Sequence, residues 1–216
     1  MKHFPGKPAL QQRVLPAYRA PFFDLLASAC DGGMSLFTGS PRPVEGITTT
    51  DKLQVADYTL EKNVHLLGGS FYLCYQQGLL DWLNEQNPDA LIVEANPRYL
   101  STPAAIKWMH DRDRPVIGWG LGSPPLSGPL AGFRQMRRLS FLREFDAMIA
   151  YSQRGADEYA RQGFPLDYLF VAHNSVSPSP TWQMPERPET FGEQPCILFV
   201  GRLQARKNVD LLLGAC

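Results

Sequence analysis

The feature that most constrains this chain is the alternation of short apolar runs with longer helical patterns. Leu91-Ile92-Val93 and Met148-Ile149-Ala150 are near-continuous apolar runs too short to be helices. Such runs fit strands buried on both faces of a sheet. Strands are expected at 13–15, where Pro16 stops the run, and at 34–38, 64–67, 90–94, 116–119, 147–150 and 169–172. Between them lie helical patterns. In 21–30, Phe22, Leu25, Leu26 and Ala29 recur at helical spacing, and Pro21 suits a first turn. Helices are also expected at 78–85, at 101–110, at 129–144 and at 153–162. The third-last of these has Ser101 as a hydroxyl cap before Pro103; the last has Ser152 as cap and Gly163 as stop. Strands alternating with helices predict an α/β fold: a mainly parallel sheet covered by helices on both faces.

The pattern changes after residue 174. Residues 175–195 hold five prolines (Pro178, Pro180, Pro185, Pro188, Pro195) and read as a stiffened linker. A new strand is expected at 196–200, then Gly201, then a helix from Asn208 onward. One strand and one short helix cannot bury a core. The expected organisation is a domain at 1–174, a linker at 175–195 and, at 196–216, the first unit of a second domain, so the sequence reads as a piece of a longer protein.

Composition excludes several classes. Apolar residues make up 44% of the 216, enough to sustain a core rather than a disordered chain. Lys+Arg and Asp+Glu both number 21, and a balanced charge does not suit a generic nucleic-acid binder. Cys30, Cys74, Cys196 and Cys216 form no C-x-x-C pair, and His3, His65, His110 and His173 stand apart, so no metal site is expected. Scattered thiols fit a reducing, cytoplasmic setting. The N-terminal dozen residues are polar and lack a signal-peptide core. Residues 115–133 carry no charge, but Pro124-Pro125, Pro129 and five glycines break any membrane-spanning helix there.

The sharpest chemical pattern is Val200-Gly201-Arg202-Leu203 followed by Lys207 and a helix. Glycine at a strand's carboxyl end lets a ligand approach the backbone. Arg offers a planar fork to phosphate oxygens and Lys a compact charge. Ligands of open α/β sheets sit at such carboxyl ends. The same residues also read as solvated loop charges.

With this pattern in view, the chain resembles the GT-B glycosyltransferases of the retaining family 4. Residues 197–212 are similar to the opening of the donor domain. Leu15-Pro16-Ala17-Tyr18-Arg19 through Phe23 resembles the first strand and loop of the acceptor domain in one branch of that family. Ala147 through Ser152, and Val171 through Val176, resemble the later strands. The resemblance implies two Rossmann-like domains with a nucleotide-sugar donor bound between them and a glycan or lipid-linked acceptor. It implies that Gly201, Arg202 and Lys207 hold the donor diphosphate, their charge stabilising the leaving nucleotide without a metal ion or other cofactor. The family's pair of glutamates seven residues apart would fall beyond Cys216. Where the family often carries a glycine-rich turn and a histidine, this chain has Pro16-Ala17-Tyr18-Arg19 and the loop Gly118–Ser123 without histidine. The alternative is a non-catalytic acceptor-binding partner of a split enzyme.

Acceptor-side candidates follow the strands. Tyr18 and Arg19 sit after the first expected strand, as ligand contacts or as a packing pair at a helix entry. Glu94 and Asn96 follow 90–93, and Pro97 holds Asn96 extended. Asn96 could meet a sugar hydroxyl or cap the next helix. Gly120, Gly122 and Ser123 could offer backbone N–H groups or simply turn the chain. His173 reads as a packed histidine at a strand end. Arg134, Arg137, Arg138 and Arg143 alternate with Phe133, Met136, Leu139 and Leu142 on one helix. That helix suits either peripheral contact with an anionic membrane face or core packing with a solvated basic edge.

Overall fold

In a computed structural model, residues 3–174, 181–184, 186, 189–190, 196–201, 203 and 207–215 are described. The chain divides into two units, Met1–Pro178 and Ser179–Cys216.

The first unit is an α/β domain. Its strands are β1 (Pro8–Gln11), β2 (Ser35–Gly39), β3 (Asp57–Glu61), β4 (Asn63–Leu66), β5 (Leu73–Gln76), β6 (Ala90–Glu94), β7 (Val116–Gly120), β8 (Ala147–Ala150) and β9 (Leu169–Val171). Its helices are α1 (Ala20–Ser28), α2 (Leu79–Gln86), α3 (Thr102–His110), α4 (Ala131–Leu142) and α5 (Gln153–Arg161). Seven strands form one parallel sheet in the order β3-β2-β1-β6-β7-β8-β9, while β4 and β5 pair antiparallel beside it.

Side chains alternate across this sheet. Ala9, Phe37, Leu91, Val93, Val116, Met148 and Ala150 face a core shared with α2, α3 and α5. Leu10, Leu36 and Ile92 face a second core with Phe23 and Ala27 of α1. The sheet is thus of the expected Rossmann-like kind, with helices on both faces.

The main correction concerns the first strand. It lies at Pro8–Gln11, not 13–15. Proline is tolerated as the first residue of a strand, and Ala9 and Leu10 are fully buried at the centre of the sheet. The segment read as a polar terminus therefore supplies an interior strand, next to β6 at the sheet's centre. β3 and β5 escape the apolar-run criterion because they are half-exposed and mixed in composition. Ser152 caps α5 as expected, accepting from the Gly155 N–H at 3.1 Å. Ser101 does not cap α3. Its hydroxyl donates to the Gln76 carbonyl (3.1 Å) and accepts the Gln76 N–H (2.7 Å), docking β5 instead. His173 is exposed rather than packed, because β9 is the sheet's edge.

On α4 only Leu142 is buried; Phe133 (53% exposed) and Met136 (61%) face outward. Arg134 and Arg138 donate to the Ser127 and Pro124 carbonyls, so they hold the preceding loop. No helix among the described residues is long and apolar enough to cross a membrane.

In the second unit, residues 196–200 form no strand, and Ile197, Leu198 and Val200 are exposed. A strand of parallel type needs neighbours and cover on both faces, and the described residues of this unit provide neither. The helix α6 (Val209–Ala215) has no buried residue. Lys207 and Gly201 are exposed, and Arg202 lies outside the described residues.

Candidate functional site

The strand order reverses between β1 and β6: successive connections run one way from β1 to β3 and the other way from β6 to β9. At such a switch point the loops diverge and leave a crevice beyond the strands' carboxyl ends. A cleft of about 510 Å³ opens there. Gln12 and Arg13 form one rim directly after β1, and Glu94, Ala95 and Asn96 the other directly after β6. Trp119 and Gly120 at the end of β7, Tyr151 after β8 and Asn174 after β9 extend it.

The β1 rim is held by backbone and amide bonds. The Gln12 N–H donates to Phe37 O (2.9 Å) and the Gly39 N–H to Arg13 O (3.0 Å). The Asn63 amide donates to Arg13 O at 2.7 Å and Ser40 O at 3.0 Å, and the Gln76 amide to Gln12 O at 3.2 Å. Gln76 also accepts from the Gln11 amide. The β4–β5 pair, which contributes Asn63 and Gln76, is therefore the buttress of this rim.

Glu94 links the two rims. Its carboxylate accepts the Arg13 backbone N–H at 2.9 Å, and its own N–H donates to Gln11 Oε1 at 3.2 Å. Burial pushes its carboxyl above the usual range, against the Arg13 N–H bond, the Arg13 charge, the Tyr99 hydroxyl and Arg19. The Arg13 guanidinium is itself committed to Glu45 at 2.9 Å, and Glu45 also receives Arg42 at 3.1 Å. Burial alone would lower the Arg13 pKa, but the Glu45 bond and nearby acidic groups raise it.

Arg19, only 7% exposed, sits among aromatic faces. Its guanidinium carbon lies 4.9 Å from the Phe23 ring centre, 4.9 Å from Trp119 and 5.8 Å from Tyr151. Trp119 and Tyr151 stack, with centres 5.4 Å apart. Burial raises the Tyr151 pKa, which the Arg19 charge and hydrogen bond oppose.

Six of the seven acceptor-side candidates line the cleft: Tyr18, Arg19, Glu94, Asn96, Gly120 and Gly122. Tyr18 is 48% exposed, a lip rather than a packing partner. Asn96 is no helix cap; its Oδ1 accepts the Arg98 N–H at 3.1 Å. The glycines serve packing. A Cβ on Gly120 would fall 2.3 Å from the Tyr159 hydroxyl. Gly122 has φ +118 and donates its N–H to that hydroxyl at 3.1 Å, so this N–H is not free for a ligand. Ser123 is buried in a neighbouring pocket, its hydroxyl accepting from Arg138 at 3.3 Å.

The residue signals overlooked Gln12, Arg13, Tyr99, Trp119 and Tyr151. Placing the first strand at 8–11 would have put Gln12 and Arg13 at its carboxyl end, and the same rule marks Trp119 and Tyr151. Gly201, Arg202 and Lys207 belong to the second unit. Among the described residues no three His, Cys, Asp or Glu side chains group as a metal site.

Aromatic faces with a buried carboxyl, amides and a cation can hold a polyhydroxylated ligand: rings cover its C–H faces while the polar groups take its hydroxyls.

No protein-family model matches this chain, and no curated protein matches it in sequence. Among solved structures, the fold is similar to Anabaena HepE in complex with UDP-glucose (10% identity, 78% of this chain and 44% of that one, TM-score 0.47). It is also similar to the UDP-GlcNAc 2-epimerase from Methanocaldococcus jannaschii (12% identity, 76% of this chain and 44% of that one, TM-score 0.43). The chain spans less than half the length of either.

Proposed function

We propose that this chain is the acceptor-binding part of a glycosyltransferase that moves a sugar from a nucleotide-sugar donor to a glycan or lipid-linked acceptor, with retention at the anomeric carbon. The observation that carries this reading is the cleft at the strand-order reversal, with Trp119, Tyr18 and Tyr151 rings beside Glu94, Asn96 and Gln12. In this reading the cleft takes the acceptor. Gly201, Arg202 and Lys207 take the donor diphosphate, a role that rests on the sequence resemblance. Their two positive charges would offset the charge that builds on the departing nucleotide.

Titrating a panel of neutral oligosaccharides while following tryptophan fluorescence tests the acceptor site. We expect saturable binding by one or more saccharides, weakened about tenfold or more by Trp119→Ala or Asn96→Ala in variants that keep the wild-type melting curve. Failure of every saccharide to bind, or binding that both substitutions leave intact, overturns the reading.

A further inference from the structure

We infer that Arg19 is an anion subsite inside the cleft, holding a carboxylate or phosphate group carried by the acceptor; the inference rests on the acceptor-site reading above. Arg19 is more than nine-tenths buried yet lines the cleft. A buried charge is ordinarily paired with a counter-charge. Arg19 makes no ion pair among the described residues. Its Nη1 donates to two neutral oxygens, Gln12 Oε1 at 3.0 Å and the Tyr151 hydroxyl at 3.2 Å. These use both Nη1 hydrogens. Nε and Nη2 make no hydrogen bond among the described residues, and together they form the side edge of the guanidinium. That edge is the fork that matches a carboxylate or phosphate with two parallel bonds.

The surroundings hold this fork still and leave it in need of an acceptor. The rings of Phe23, Trp119 and Tyr151 cover the guanidinium and partly offset its desolvation. The carboxylate on the cleft, Glu94, is engaged by the Arg13 N–H, and among the described residues it makes no ion pair with Arg19. Two more donors in residues lining the same cleft, Gln12 Nε2 and Trp119 Nε1, make no hydrogen bond among the described residues. A corner of the cleft with surplus donors and a cation that makes no ion pair among the described residues is complementary to an oxyanion rather than to a cation.

The test compares matched charged and neutral probes on the 216-residue protein. One arm uses a glucuronate-terminated oligosaccharide against its methyl ester. The other uses a short-chain prenyl diphosphate-linked sugar against the same sugar as a neutral prenyl glycoside. We expect wild-type protein to bind the charged member of one pair about 10- to 100-fold more tightly, as a charge-assisted bidentate contact provides. A preference in the first arm identifies a carboxylate, in the second a phosphate. Arg19→Gln should bring the charged-to-neutral ratio close to one, and Arg19→Lys should restore part of it. Equal affinity within both pairs, or a preference that survives Arg19→Gln, overturns the inference. The wild-type comparison needs no variant, so it stands even where Arg19→Gln fails to fold. Neutral probes that bind without any charge preference refute the anion subsite alone, whereas failure of every probe refutes the acceptor reading with it.

Discussion

At the scale of single residues, Glu94 shows how the site is set against stability. Its carboxyl is raised by burial at the junction of two strands. The folded state therefore binds this proton more tightly than the unfolded chain does. The stability linked to it is fully present below the unfolded value of about 4.3 and is lost as pH rises through the folded value. Glu94→Gln keeps an oxygen for the Arg13 N–H and carries no charge to bury. It should melt at a higher temperature than wild type at pH 7, with the gap closing below about pH 4. Melting curves at pH 7 and pH 3.5 check this; a variant less stable than wild type at pH 7 would show that the charged form is favoured where it sits. Glu94 was legible in the sequence because an acid directly after a buried run stands out. Trp119 was not, since an aromatic at the end of an apolar run looks like core.

At the scale of elements, one side chain ties α1 to a loop. The Asp24 carboxylate accepts the N–H groups of Gln54 (3.0 Å), Val55 (2.8 Å) and Ala56 (3.1 Å). Burial alone would raise its pKa, but these three bonds outweigh that and lower it. The loop they fix leads into β3, a strand that sequence reading missed. Asp24→Ala should cost about 1.5–3 kcal/mol, the usual worth of a hydrogen bond to a charged group. The lowered pKa sets the pH window: the contribution is present above the unfolded value of about 3.9 and disappears as pH falls through the folded one. Chemical denaturation of wild type and variant at pH 7 and pH 3 measures both, and an undiminished difference at pH 3 would refute the assignment. Elements with one strong local signal were readable: β6 and β8 as unbroken apolar runs, α5 from its Ser152 cap and Gly163 stop. β1 was not, because Pro8-Ala9-Leu10-Gln11 is too short and too mixed to declare itself. Only pairing with β2 on one side and β6 on the other buries it.

At the scale of the molecule, both cores lie within the first unit, with their fully buried members running from Ala9 to Tyr159. The described residues of α6 and of 196–200 add no buried apolar side chain. A chain of residues 1–178 should therefore melt within about 2 °C of the 216-residue chain, the smallest shift that 1 kcal/mol makes in a domain of this size. A loss greater than about 5 °C would mean that the second unit supports the first. The sheet as a whole was legible from the alternation of its elements. The site was legible in part, because the rule that ligands meet strands at their carboxyl ends works only where the strand ends are correctly placed. Misplacing β1 hid one entire rim.

That placement also orders events during synthesis. β1 emerges from the ribosome before the other strands of the sheet and can pair with β2 early, but its other edge waits for β6, about 80 residues later. At roughly 5–20 residues per second this leaves the edge open for about 4–16 s. During that interval the middle of the sheet is a nascent edge strand, with unpaired backbone groups able to template a wrong partner. The cleft begins when the arriving β6 carries Glu94 to the Arg13 N–H, and it is completed only as β7, β8 and β9 bring Trp119, Tyr151 and Asn174 to it.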